Sequence, residues 1–221
     1  MLLDHDKAIF SGVEAWVFDL DNTLYPSSAR LFDQINVLMS AYIMRTLGVG
    51  IADADRLRRD LWERHGTTMA GLVAEHEVDA DAFLDATHRL DLSGLAPDPE
   101  LILAVQTLPG RKIVHTNGPR SHARAVLAAR GLEGCFEQVI AVEDTGYRSK
   151  PSPAAFAQAW EKAGLDPSRA AMIEDHAENL REPRRHGMRT VWLATTEVED
   201  RPDHVDLTIT DLAGFLDRIS G

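Results

Sequence analysis

Short apolar runs alternate with stretches of helical periodicity along most of the chain. Val13 to Leu20 (VEAWVFDL) reads as a first strand, broken at once by Asp21-Asn22-Thr23. Lys112 to His115, Phe136 to Val142, Ala170 to Glu174 and Thr190 to Leu193 read as four more. Helical patterns fill the gaps: Ser121 to Arg130, Pro153 to Ala163, Glu178 to His186 and Asp211 to Ile219. Gly131 and Gly164 stand where helix C-caps belong, and Ser152-Pro153 reads as an N-cap followed by proline at the first helical position. Strands alternating with helices predict the α/β class, a doubly wound and mostly parallel Rossmann-like sheet.

One region departs from the alternation. From Ser27 to Leu92 the periodicity is helical throughout. Leu31, Ile35, Leu38, Tyr42 and also Met39 suit one face of a first helix that ends near Gly48. Asp53 to His65 is a charged second helix stopped by Gly66, and Gly71 to His76 and Asp79 to Leu90 complete the set. The expectation is a helical cap, residues 27–92, inserted after the first strand of a core made of residues 1–26 and 93–221. Pro97-Asp98-Pro99 marks the return to the core, since proline biases the residue before it away from helix.

Composition narrows the function classes. The 221 residues carry 35 acids against 23 lysines and arginines, a net charge of −12. Such a surface repels the phosphates of a nucleic-acid polymer or an anionic membrane, so neither is expected as a partner, whereas a local basic site can still hold a small anion. The single cysteine, Cys135, cannot form an intramolecular disulfide or a cysteine-rich zinc site and is expected to pack. Met1 to Lys7 carries acids where a signal peptide carries a basic region, and no apolar run reaches the ~18 residues of a membrane helix. A cytoplasmic protein is expected. Nothing in the chain fixes the oligomeric state.

In open α/β sheets, ligands bind beyond the carboxyl ends of the strands. After the first strand come Asp19, Asp21 and Thr23; after the second, Thr116, Asn117 and Gly118; beyond the third, Lys150; and the fourth ends in Glu174-Asp175. Carboxylates that close repel unless a cation intervenes. A hard, oxygen-liking ion such as Mg²⁺ suits the set, because it needs few protein ligands and keeps several waters. A lysine beside it complements the remaining charge of a phosphate.

These residues resemble the four motifs of the haloacid dehalogenase-like hydrolases. Asp19-Leu20-Asp21-Asn22-Thr23 looks like the Asp-x-Asp-x-Thr motif, and Thr116, Lys150 and Glu174-Asp175 follow in the family's order. DLDNTLYP, SSARLFDQI, GTTMAGLVAEH and HTNGPRSHARAVL are similar to the pyrimidine 5′-nucleotidase-like branch. The resemblance implies a Mg²⁺-dependent phosphomonoesterase acting on a small phosphorylated metabolite, a nucleoside 5′-monophosphate and preferably a pyrimidine one. It implies that Asp19 attacks phosphorus to form an aspartyl-phosphate, while Asp21 protonates the leaving oxygen and then activates water. Asp19, the backbone carbonyl of Asp21 and Asp175 are implied as metal ligands, with Glu174 reaching the ion through water. Thr116 and the backbone N–H of Asn117 are implied as donors to the phosphoryl oxygens, and Lys150 neutralises charge on nucleophile and phosphate.

Competing chemistries fit less well. An EF-hand fails because its sixth and twelfth positions hold Leu24 and Arg30. Gly48-Val49-Gly50 lacks the third glycine and the preceding strand of a dinucleotide loop. His65, His76 and His88 lie on separate helices and form no zinc set. His115 takes a place where many relatives carry an apolar residue. Gly66, Thr67 and Thr68 are candidates to face the substrate from the cap, or else a plain interhelical turn. His176 is a candidate for the mouth of the site, and Asn179 for a brace on Lys150 or the acidic loop, or else a plain helix-surface residue. The same scaffold also suits a sugar-phosphate phosphatase, a phosphotransferase or mutase, or a catalytically silent binding protein. A dehalogenase fits poorly, since relatives with that chemistry typically lack the acid at Asp21.

Overall fold

The structure is a computed structural model and describes residues 7–221. The acidic stretch from Met1 to Asp6, part of the argument against a leader, lies outside the described residues. Six parallel strands form one sheet in the order β3-β2-β1-β4-β5-β6. They are β1 (Ala15–Phe18), β2 (Arg111–His115), β3 (Gln138–Ile140), β4 (Ala170–Glu174), β5 (Arg189–Leu193) and β6 (Leu207–Ile209). β1 shows why the sheet needs cover on both faces. Trp16 and Phe18 point into one core with Val114, Ile173 and Phe215, while Ala15 and Val17 point into the other with Phe156 and Met172. All four residues are buried, as a central parallel strand requires.

Nine helices surround or extend the sheet among the described residues: α1 (Leu31–Leu47), α2 (Ile51–His65), α3 (Thr68–His76), α4 (Ala80–Thr87), α5 (Pro99–Thr107), α6 (Arg120–Ala129), α7 (Pro153–Ala163), α8 (Arg181–Arg185) and α9 (Leu212–Ser220). The sequence reading finds neither β6 nor α5. In α5 the Pro97-Asp98-Pro99 segment is the helix start itself, with Asp98 accepting from the Leu101 N–H and Pro99 in the first turn. The strands are shorter than expected at both ends of β1, and residues 177–180 form a separate 3₁₀ turn before α8.

Helices α1 to α4 lie between β1 and β2 in sequence and share a core of Ile43, Leu61, Leu72, Phe83 and Leu84. The expected apolar face of α1 divides its contacts. Leu31 packs with the sheet's core, and Ile43, Met39 and Tyr42 with the helical one. α1 and α2 meet at 108°. No single described helix is long and apolar enough to cross a membrane.

Candidate active site

β1 lies between β2 and β4, so the connections leave it in opposite directions and open a crevice at its carboxyl end. The ladder carries Asp19 into that crevice, its N–H donating to the Ile173 carbonyl at 2.9 Å. Glu174 is the last residue of the neighbouring β4, and Thr116 follows β2. Residues far apart in sequence therefore meet because three parallel strands end in register.

At the floor, Lys150 joins two acids. Its ammonium donates to Asp19 Oδ1 at 2.6 Å, Glu174 Oε2 at 2.7 Å and the His115 carbonyl at 2.9 Å. Those three bonds use all three N–H donors of a lysine. Lys150 thus holds the Asp19 carboxylate directly, and it can act on a phosphoryl group only through its charge. Asn117 fixes the lysine's backbone from both sides, accepting from the Lys150 N–H at 2.8 Å and donating to its carbonyl at 3.1 Å. Burial would lower the lysine's pKa, but Asp19 and Glu174 outweigh it and hold the ammonium well above its usual range.

The acids show the opposite imbalance. Burial, the neighbouring Glu174 and Asp21 together push the Asp19 carboxyl up to about 7 against the pull of Lys150. Burial also raises Glu174, and burial with the Asp19 charge raises Asp175. Oxygens of Asp19, Glu174 and Asp175 all lie within 4.8 Å of one another. Three hard oxygen donors, crowded enough to hold protons for want of positive charge, fit a small divalent cation. Asn22, in the left-handed region at φ 59, steadies the set by donating to Asp175 Oδ2 at 3.2 Å.

Asp21 turns away from this cluster. Its Oδ1 accepts from the Tyr25 hydroxyl at 2.7 Å and lies 2.7 Å from His122 Nε2, while Thr116 Oγ1 donates to Oδ2 at 3.4 Å. Burial alone would raise its pKa, but His122 and Tyr25 outweigh it and hold the carboxyl below its ordinary value. Behind His122 stands His88, its ring 5.4 Å away, with a pKa lowered to about 4 chiefly by burial. The two aspartates thus have separate surroundings: Asp19 beside a lysine and two acids, Asp21 in a network of hydroxyls and imidazoles. Without a cation these surroundings favour a proton on Asp19 and a charge on Asp21, so a bound cation is what would ionise Asp19. Gly118 permits the close packing, since a Cβ there would stand 3.1 Å from the His122 ring and 3.3 Å from Thr116 Oγ1.

A cavity of about 520 Å³ extends from this floor to the helical segment. Asp19, Asp21, Asn117, Lys150, Glu174 and Asp175 line its lower part, and Gly66, Thr67, Thr68, His176 and Asn179 also reach it. Thr116 stands behind the lining and is buried, its Oγ1 accepting from the Gly118 N–H at 2.9 Å. The Gly66 turn, at φ 79, ends α2. The Thr67 hydroxyl accepts from the Ala70 N–H at 3.1 Å, and Thr68 donates to the Arg58 carbonyl at 3.0 Å. These two hydroxyls are engaged with backbone. Glu174 stands within the acidic cluster itself, with one oxygen committed to Lys150. His115 is fully enclosed, against Phe156, and burial then Lys150 drive its pKa well down. Cys135 is buried in the main core.

Sequence reasoning missed Tyr25, His88 and His122. Its histidine search weighed zinc spacing, His115 and His176, and did not reach His122. The available signal was a histidine on the apolar face of a helix, with Ala123, Val126 and Leu127, a few residues after the strand-end threonine.

A family model described as haloacid dehalogenase-like hydrolase matches residues 13–187. Validoxylamine A 7′-phosphate phosphatase from Streptomyces hygroscopicus subsp. limoneus is 27% identical over 207 residues, spanning 89% of this chain and 92% of its own. Glyceraldehyde 3-phosphate phosphatase from Methanopyrus kandleri is 27% identical over 218 residues, 90% of this chain and 91% of its own. The crystal structure of a HAD phosphatase from Thermococcus onnurineus shares the fold with a TM-score of 0.64 at 22% identity, covering 95% of this chain and 98% of that one.

Proposed function

Because the chain belongs to the haloacid dehalogenase-like hydrolases, we propose that it is a Mg²⁺-dependent phosphomonoesterase in which Asp19 is the nucleophile and Asp21 the acid and base. The observation that carries this reading is the convergence of Asp19, Glu174 and Asp175 with Lys150 at three strand ends, with Asp21 beside them in its own network of Tyr25 and His122. Lys150 and Thr23 orient Asp19, at 2.6 and 3.2 Å, so that its carboxylate faces the cavity as a nucleophile. Asp19 attacks phosphorus as the ester oxygen departs with a proton from Asp21, and a covalent phosphoaspartate forms. Asp21 then takes a proton from water as that water displaces Asp19, releasing phosphate. Tyr25 and His122 aim Asp21 in both steps. A halide leaves without a proton, so an acid held by this network favours ester chemistry over dehalogenation.

Asp19 and Asp175, with the Asp21 carbonyl and Glu174 beside them, are the residues that would hold the cation. When bound, it neutralises the crowded carboxylates and the approaching phosphoryl charge. Asn117 shapes the phosphoryl end of the cavity, with Thr116 behind the lining and bonded to Asp21. Helices α1 to α4 form a cap domain, residues 27–92, over a core of residues 1–26 and 93–221, which excludes bulk water and selects the leaving group.

The substrate class is small phosphorylated metabolites with a ring-bearing leaving group, nucleoside 5′-monophosphates first and pyrimidine ones among them. Two features support it: a cavity too large for a three-carbon alcohol alone, and two aromatic side chains at its rim, Phe32 and Trp62, 45% and 55% exposed. Phosphate release from a panel of nucleotides and sugar phosphates, with Mg²⁺ or EDTA, tests the reading. Release from UMP or CMP is expected to need Mg²⁺ and to fall at least ~10³-fold in Asp19→Asn. A variant turning over at the wild-type rate would overturn the nucleophile. A preference for sugar phosphates would keep the mechanism and discard the nucleotide.

A further inference from the structure

The helical side of the cavity carries two positive charges that nothing answers. Arg58 and Arg59, adjacent on α2, both line it. Arg58 is half-buried, and its one side-chain hydrogen bond among the described residues goes to a neutral group, Asn36 Oδ1, at 2.8 Å. Its Nε is buried with no partner. Neither guanidinium has a carboxylate within 4.0 Å among the described residues. The other arginines of this segment are all satisfied. Arg56 meets Asp53 at 3.0 Å, Arg64 meets Asp60 at 2.8 Å, Arg30 meets Asp33 at 2.6 Å, Arg89 meets Asp85, and Arg45 lies over the Tyr42 ring. In a chain of net charge −12, acids are abundant, so Arg58, half-buried in the cavity without one, stands out, while Arg59 is exposed and adds its charge from the cavity's edge.

A guanidinium withdrawn from water without a counter-charge is costly, and its fork of donors matches a planar or tetrahedral oxyanion. Phe32 and Trp62 line the same cavity and offer apolar and π surface to a flat group. The phosphoryl end is already provided with Lys150, Asn117 and the cation ligands on the opposite wall. We infer that the preferred substrates are phosphomonoesters whose leaving group itself bears a second oxyanion, a carboxylate or another phosphate, on a flat or ring-shaped body, with Arg58 as its principal ligand and Arg59 as its second. This rests on the phosphomonoesterase reading and moves its preferred substrate away from nucleotides with neutral bases: those give the arginines only carbonyl oxygens, whereas an anionic ring gives them a charge.

The test uses two aryl esters of matched shape, 3-(carboxymethyl)phenyl phosphate and its amide, 3-(carbamoylmethyl)phenyl phosphate, with 1,3-phenylene bisphosphate as a third arm. Steady-state kinetics are run on the full chain with Mg²⁺, for wild type, Arg58→Ala, Arg58→Lys and Arg59→Ala. Wild type is expected to prefer the carboxylate over the amide by at least tenfold in kcat/KM, mainly through KM. Arg58→Ala should collapse that ratio to within threefold, Arg58→Lys should keep part of it, and Arg59→Ala should reduce it less. The ratio is unaffected by the fraction of folded enzyme, so a destabilised variant still reports. Equal kcat/KM for the two esters in wild type, or an Arg58→Ala loss shared equally by both, would overturn the inference. The second of those results would move Arg58 to the transferred phosphoryl group. The bisphosphate arm tells which oxyanion is favoured. Calorimetric binding of both aryl esters to Asp19→Asn separates the two readings. A charged ester that binds tenfold tighter while wild type hydrolyses neither would keep the anion site and sink the phosphatase.

Discussion

The two walls of the cavity treat charge in opposite ways. On the sheet side Lys150, Asp19 and Glu174 are buried, and each finds a partner within 2.7 Å. On the helical side Arg58 and Arg59 face the same space with no acid to meet them. The sheet wall is finished as a protein and lacks only positive charge for its surplus carboxylate. The helical wall is complete only when something anionic arrives. Preorganisation for chemistry and openness for selection are thus divided between rigid strand ends and a separately packed helical layer.

Removing the charge that binds the floor together is expected to have the largest effect. Lys150→Met leaves Asp19 and Glu174 buried without their cation, a change expected to cost about 3–5 kcal/mol. The sign of the pH effect follows from the acids left behind. Their carboxyls are already raised by burial, and without the lysine they rise further, so the folded state holds protons that the unfolded chain has lost. The variant's deficit should therefore grow as pH rises from 6 to 8. Urea melts at both values check it. A deficit that shrinks with pH would mean that the acids find another partner.

The next largest effect sharpens the division within the floor itself. If His122 positions Asp21 for proton donation, His122→Gln should lower kcat/KM by about 10²-fold for an alkyl phosphate, whose leaving oxygen needs the proton. The loss should be several-fold at most for 4-nitrophenyl phosphate, whose leaving group departs unprotonated. A purely structural role for His122 would depress both esters alike.

Much of the floor was legible because parallel strands end together. An acid pair after one apolar run, a threonine after a second and an acid pair after a third converge on any sheet that places those strands side by side. What the sequence could not show is the partner across the crevice. Asp21 and His122 are 101 residues apart, and no local pattern joins them. Arg58 and Arg59 read as part of a charged helix, and only the 108° turn between α1 and α2 and the place of Leu61 in one core with Leu72 settle which face meets the cavity. β6 escaped because its three residues, Leu207–Ile209, offer too short a pattern. α5 escaped because its proline-flanked cap reads equally well as a boundary.

The cation site gives a smaller and graded effect. Asp19, held at about 7 when no cation is bound, must lose its proton for an ion to bind. Apparent Mg²⁺ affinity should hold above pH 8 and fall by up to about tenfold per unit below 7, with proton release on binding. Glu174 and Asp175, also raised, can only steepen that fall. Calorimetric titration in buffers of different ionisation enthalpy measures both quantities. Affinity independent of pH between 6 and 8 would mean that the ion does not engage Asp19.

The smallest expected effect decides between two uses of one hydroxyl at the cavity's edge. Thr67 lines the cavity, as a substrate-reading residue must, yet its oxygen accepts the Ala70 N–H and starts α3. An N-cap hydroxyl is worth about 1 kcal/mol. Thr67→Ala should therefore lower stability by roughly that amount, while Thr67→Ser, which keeps the acceptor, should retain most of it. Because α3 packs on the α2 that carries Arg58 and Arg59, any kinetic change in Thr67→Ala should follow the carboxylate ester more than its amide. A KM rise shared by both esters with stability intact would instead return the hydroxyl to the substrate, and would make the helical wall a reader of polar groups as well as of charge.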